Sequence, residues 1–216
     1  MSFNYNPVKA EILPRETVNG HRVYRCGSHV YPSVTTVLSI EEKKELNDWR
    51  ERVGEEEATL VSRRSTARGR RIHDLCESYL KNEPVIPTMF DREIWNTLNP
   101  ILNNIQDICG LEVPLYSKHL KVAGTADCIG HYLGKRSLID FKTSTRQKYV
   151  SEISSYFMQA AAYAVMWEER YNQPITNLVI IIATDDAPTS VFTAHRDNWI
   201  NDFIKLRGLF EKKYGF

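Results

Sequence analysis

Along this chain the apolar positions change period, and the changes divide it into elements. In ARGRRIHDLCESYLK, residues Ile72, Leu75, Cys76, Tyr79 and Leu80 recur at three and four, which predicts an amphipathic helix with one buried stripe. Residues 91–108 repeat the pattern around Pro100, which kinks or splits that helix. After Gly110 the period falls to two. Leu111, Val113 and Leu115 alternate, and residues 120–133 and 137–142 follow as two more strands joined through LGKRS. A long helix is expected over 150–171, then a buried strand in NLVIIIAT, another in SVFTAH, and a closing amphipathic helix in DNWINDFIKLRGLFEKKYG. Upstream, HRVYRCGSHVYPSV reads as a hairpin turning on Gly27-Ser28, and a helical region rich in Glu and Lys runs from about residue 40 with a break near Gly54. The order helices, three strands, helix, two strands, helix makes an α/β chain with a mixed central sheet flanked by helices.

Composition narrows the class. With 216 residues, 42% hydrophobic and 25% charged, the chain matches an ordinary globular protein, and one domain is expected over 1–216. The longest apolar run, LVIIIA, is far below the roughly 20 residues that cross a bilayer, so no membrane span is predicted. MSFNYNPVKAEILPRE lacks signal and transit patterns, and cytoplasmic residence, in a bacterial or phage-infected cell, is expected. Cys26, Cys76, Cys109 and Cys128 are widely spaced without a CxxC pair, which predicts reduced thiols and no iron-sulfur cluster. A net charge of +1 gives no global pull on a polyanion, so any such site is local; Arg63, Arg64, Arg68, Arg70 and Arg71 form the one cluster that suits it, or else a solvated helix surface.

The strand SLIDFKTS carries the chemistry. Asp140 and Lys142 stand two apart and share a face, with Ile139 and Phe141 packed behind. If the preceding hairpin turns on Gly134-Lys135, Asp127 lies opposite Lys142 and Ile129 opposite Asp140. Two carboxylates and an ammonium then converge, an arrangement that repulsion between the acids disfavours unless a cation sits between them; hard oxygen ligands suit Mg²⁺ or Mn²⁺. His73 and Glu77, one helical turn apart with Gly69 a turn earlier, are candidate partners, or else a structural i,i+4 contact. Gln159 and Tyr163 show the same spacing among small alanines, which lets their helix lie close to the sheet. Glu112, on the polar face of the first strand, could reach the site, though a solvent-facing position is expected.

Together, Gly69, His73 and Glu77, GTAD ending at Asp127, IDFK ending at Lys142, and Gln159 with Tyr163 resemble, in order and spacing, the RecB-like branch of the PD-(D/E)XK nucleases. With YPSVTTVLS and the compact length, the chain is most similar to the mitochondrial genome maintenance exonuclease group and its phage-encoded relatives. The resemblance implies a restriction-endonuclease-like αβββαβ core over 67–216, with 1–66 an N-terminal hairpin and helical extension. It implies Mg²⁺-dependent phosphodiester hydrolysis, with His73, Asp127, Asp140 and the Phe141 carbonyl as metal ligands and Lys142 positioning the attacking water. Glu77, Arg68, Arg70, Arg71, Thr143, Ser144, Gln159 and Tyr163 would support the site or touch DNA. Ala126 stands where the name motif has proline.

The expected activity is an exonuclease on single-stranded DNA with a free end, threaded beneath the N-terminal extension and stacked on aromatics such as Trp49, Tyr149 or Tyr156, in replication, recombination or repair, with proteins of those processes as candidate partners. A structure-selective endonuclease and an inactive DNA-binding module are the competing readings on this fold.

Overall fold

A computed structural model describes residues 2–216, with the backbone alone at 41–46. A small antiparallel sheet of β1 (Arg15–Val18), β2 (His21–Cys26) and β3 (His29–Pro32) opens the chain. The hairpin turn falls at Gly27-Ser28 as expected, since Cys26 pairs with His29. β1 adds a third strand through the Asn19-Gly20 turn, a two-residue signal present in the sequence but flanked by the polar RETV, which shows no apolar alternation.

Helix α1 (Val34–Val53) starts earlier than its Glu- and Lys-rich stretch suggests. The β-branched run Val34-Thr35-Thr36-Val37 reads as strand, but the Ser33 hydroxyl accepts the Thr36 amide at 3.0 Å and caps a helix there. Gly54, at φ 88°, breaks the chain into α2 (Glu55–Leu80), whose first turn holds Glu55, Glu56 and Glu57 against the positive end of the helix dipole. Ile72, Cys76 and Leu80 form its buried stripe.

α3 (Arg92–Leu102) contains Pro100 in its last turn and ends sooner than expected, because Asn103 and Asn104 lead directly into β4 (Ile105–Ser117). Ile105 and Ile108 therefore belong to a strand; their spacing continues the helical period only by coincidence, and a register shift lies between Gln106 and Gly110. β5 (Val122–Tyr132), β6 (Lys135–Ser144), α4 (Ser154–Tyr171), β7 (Asn177–Thr184), β8 (Ser190–His195) and α5 (Ile200–Tyr214) complete the chain. Residues 150–152 form a separate 3₁₀ turn ahead of α4.

The second sheet has the order β4-β5-β6-β7-β8, with β6 and β7 parallel and the other neighbours antiparallel. Read from α2, and with α3 as an insertion, the succession α2, β4, β5, β6, α4, β7 is the αβββαβ order expected from the sequence, in a mixed α/β sheet flanked by helices. One face packs under α1, α4 and α5 through Val34, Val37, Ala126, Leu138, Ala161, Ile180 and Phe203. The other packs under α2 and α3 through Ile72, Cys76, Leu98, Cys128, Ile139, Phe141 and Ile181. Among the described residues no helix is long and apolar enough to cross a membrane.

The β5-β6 turn corrects the expected register. Tyr132 pairs with Lys135 and Ile129 with Leu138, so the turn is Leu133-Gly134, with positive φ at both residues (48° and 78°). A turn of that hand matches the strand twist, and the Leu133 amide is held by the Asn104 carbonyl at 3.1 Å, which fixes a bulky residue where glycine or asparagine is usual. Every pairing slips by two relative to expectation. Because the slip is even, the expected sidedness along β5 and β6 is unchanged, but the ladder ends at Cys128–Ile139 and does not pair Asp127 with Asp140.

Candidate active site

That ladder stops short of the two acids. β5 and β6 pair from Tyr132–Lys135 up to Cys128–Ile139, after which β5 stays with β4 and β6 with β7. In place of the next ladder bond, the Phe141 amide donates to Asp127 Oδ2 at 2.8 Å. The strands part here, and the polar side chains converge where they part.

Asp140 is buried, bonded to Lys142 Nζ through Oδ2 and to Gln159 Nε2 through Oδ1 at 3.1 Å. Lys142 lies 5.2 Å from the Tyr156 ring centre, so α4 holds both members of the strand pair in place. Tyr163, one turn beyond Gln159, packs on Gly124. A Cβ on that glycine would stand 2.7 Å from the tyrosine ring, which explains the glycine of GTAD in terms of space.

From the other side, α2 delivers His73. Its Nδ1 lies 3.6 Å from Asp127 Oδ2 and 3.8 Å from Glu112 Oε1, and its ring stands edge-on to Phe141. One ligand atom from each of His73, Glu112 and Asp127 fits within 4.8 Å of the others. Glu112 is therefore turned to the site as well as partly to water, correcting its assignment to solvent. Its neighbours Leu111 and Val113 pair with Cys128 and Ala126, so it stands across from Asp127. Counting across that register would have found it; its positive φ of 48° is not evident in LEVPLY.

The electrostatics indicate surplus negative charge. Burial raises Asp140 to about 6 against the pull of Lys142, and burial likewise raises Asp127. For His73, burial disfavours the charged form, yet Glu112, Asp127 and Asp140 outweigh it and lift the imidazole to about 9. Lys142 is raised by Asp140 and Asp127 in spite of its own burial. Three carboxylates crowd one histidine and one lysine, a donor set that a divalent cation would relieve.

The remaining expected residues divide. Glu77 lies on the same flank of α2 as His73 and accepts from Lys81 at 2.6 Å. Thr143 sits under Gly69, and Ser144 is buried, with its hydroxyl bonded to the Arg146 carbonyl at 2.6 Å. Arg68 is paired with Asp185, and Arg71 grips the buried Asp91 through Nε and Nη2 at 3.0–3.2 Å. Of the arginine cluster, Arg63, Arg64 and Arg70 stand exposed without a protein carboxylate among the ion pairs of the described residues. Tyr149 is exposed, while Trp49 and Tyr156 are half-buried.

No protein-family model matches the chain. Mitochondrial genome maintenance exonuclease 1 of Homo sapiens is 25% identical over 205 residues, 86% of this chain and 60% of that protein. Its Xenopus tropicalis counterpart is 27% identical over 173 residues, 72% of this chain and 49% of that protein. The chain is a distant relative of these exonucleases. It spans about half to three-fifths of their length. A crystal structure of a provisionally assigned exonuclease from Eubacterium rectale overlaps at a TM-score of 0.43 with 14% identity, covering 66% of this chain and 62% of that one, an overlap too slight to carry an argument.

Proposed function

We propose that the chain is a divalent-metal-dependent deoxyribonuclease, an exonuclease that hydrolyses single-stranded DNA from a free end. The observation that carries this is the meeting of Asp127, Asp140, Lys142, His73 and Glu112 where β5 and β6 part. Kinship with exonucleases supports the same reading. Mg²⁺, or Mn²⁺, would be held by His73, Asp127, Asp140 and Glu112, with the Phe141 carbonyl beside them. Bound there, it supplies an acidified water and a counter-charge for the phosphoryl oxygens.

The chain's own residues do the rest. Lys142, fixed between Asp140 and the Tyr156 ring, places a permanent positive charge beside the nucleophilic water. Gln159 holds the Asp140 carboxylate so that its other oxygen stays on Lys142. Arg70, Arg63 and Arg64 offer phosphate contacts along α2.

Single-strand selectivity rests on how the helices leave the sheet. α1 packs on one face and the second half of α2 on the other. Ser33, just before α1, bridges to Ala123 of β5, and Gly69 of α2 lies on Thr143 of β6. Both points are at the end where the strands part, which supports a reading in which the hairpin of α1 and α2 arches above the acids. A strand must thread beneath it, and a duplex is too wide unless it frays. The role that follows is trimming of DNA ends in replication, recombination or repair.

Incubation of linear and covalently closed single-stranded DNA of one sequence, with Mg²⁺ and with chelator, tests this. Degradation of the linear form alone, only with metal, is expected. Comparable cutting of the circle would reject threading and support an endonuclease.

A further inference from the structure

On the flank of α2 away from His73, residues 83–90, EPVIPTMF, form a loop that does the opposite of what apolar residues ordinarily do. Ile86, Met89 and Phe90 are 88%, 77% and 79% exposed. The loop is nevertheless built to hold one shape. Asp91 at its end is buried and takes both Arg71 bonds and the Thr88 hydroxyl, and its amide closes a turn onto the Thr88 carbonyl at 3.1 Å. Pro84 and Pro87 stiffen the rest. A cavity of about 250 Å³, lined by Leu75, Ser78, Val85, Ile86 and Arg71 among others, lies beneath the tip.

Arg71 is shared with a second hollow of about 580 Å³ lined by Arg63, Thr66, Ala67 and Arg70. Cations thus lie on one side and a rigid apolar tip on the other. Asp74 lines the apolar cavity, which keeps phosphates on the arginine side and leaves only an uncharged group to meet the tip. A single nucleic-acid strand has that division of chemistry: anionic backbone, flat uncharged bases.

We propose that the 83–90 loop is a base-stacking platform, on which Phe90, next to Met89 in the chain, takes one unpaired base of the DNA strand while Arg70 and Arg63 hold the adjoining phosphates. The proposal rests on the nuclease reading and names a second contact for the same substrate, outside the cleavage site. Stacking of this kind is indifferent to sequence, as a degrading enzyme requires.

The test uses the full chain, chelator, and single-stranded oligonucleotides carrying one 5-iodouracil at successive positions. Irradiation should cross-link Phe90 at one or two neighbouring positions. Phe90→Ala should weaken binding about 5-fold or more, and Phe90→Trp should restore it. Phe90 is exposed, so both variants fold; matching melting midpoints confirm that. Cross-links absent from residues 83–90, or Phe90→Ala affinity within 2-fold of wild type, overturn the platform and leave the tip to a protein partner. Such a result with DNA still degraded by the wild-type chain refutes the platform alone, whereas loss of Mg²⁺-dependent degradation in the wild type refutes the nuclease reading itself.

Discussion

Asp91 and Asp140 are each 1% exposed, and each faces a cation and a neutral donor, yet their surroundings act on them in opposite directions. Asp91 has the Arg71 fork and the Thr88 hydroxyl to itself, and these hold its carboxyl below the usual range against the effect of burial. Asp140 has Lys142 and Gln159, but Asp127 stands beside it, and burial with that repulsion raises it to about 6. A structural acid is given all the positive charge it needs. At the parted strands the acids outnumber their partners, and the deficit is where a metal fits. The comparison also separates the arginines of α2, since Arg68 and Arg71 are paired with Asp185 and Asp91, while Arg63, Arg64 and Arg70 are exposed with no carboxylate among the ion pairs of the described residues.

Asp140→Asn should break the proposed chemistry while sparing the fold. We expect kcat on DNA to fall on the order of 10²–10³-fold or more, with a melting midpoint no lower than wild type because a disfavoured buried charge is removed. Turnover near wild type would equate the two aspartates.

Arg71→Ala should do the reverse. It strands Asp91 in the interior, at a cost of about 1.5–3 kcal/mol, read as a drop of roughly 3–12 °C in melting midpoint. The pH dependence of the Asp91 contribution has a definite sign. Its carboxyl is lowered in the folded state, so the stabilisation is present above the ordinary value of 3.8 and is lost as pH falls through the folded value. The stability gap between wild type and Asp91→Asn should therefore narrow in urea titrations below about pH 4. A gap independent of pH would remove Asp91 from the comparison.

Glu112→Gln should raise the Mg²⁺ concentration for half-maximal activity about 10-fold, since it removes a charge facing His73 and Asp127. An unchanged requirement would return Glu112 to solvent. The smallest effect concerns salt: replacing Arg63, Arg64 and Arg70 by Ala should reduce the slope of log affinity against log salt by about 2 for single-stranded DNA, with the melting midpoint unmoved.

Much of this was legible in the chain. The periods of α2, β6 and β7 placed Gly69, His73, Asp140 and Lys142, because each lies in an element whose apolar face is unambiguous. The expected register of β5 against β6 was off by two because the turn falls at Leu133-Gly134, and the loss of pairing beyond Cys128–Ile139 leaves no trace in the sequence pattern. For Glu112 the sequence leaves site and solvent both open, because its outward place in the alternation of β4 is the same whether water or a histidine on α2 lies beyond it. The pairing of Arg68 and Arg71 was likewise hidden. Asp185 is 117 residues from Arg68 and Asp91 is 20 from Arg71, and no local pattern indicates such partners.

The central claim, that the surplus of acids at the parted strands holds a cation while Asp91 holds none, is tested most directly by calorimetric titration of Mn²⁺ into the wild-type chain, Asp140→Asn and Asp91→Asn. The account predicts saturable binding in the wild type, retained in Asp91→Asn and lost or at least 10-fold weaker in Asp140→Asn. Absence of binding in the wild type, or equal binding in Asp140→Asn, would contradict it.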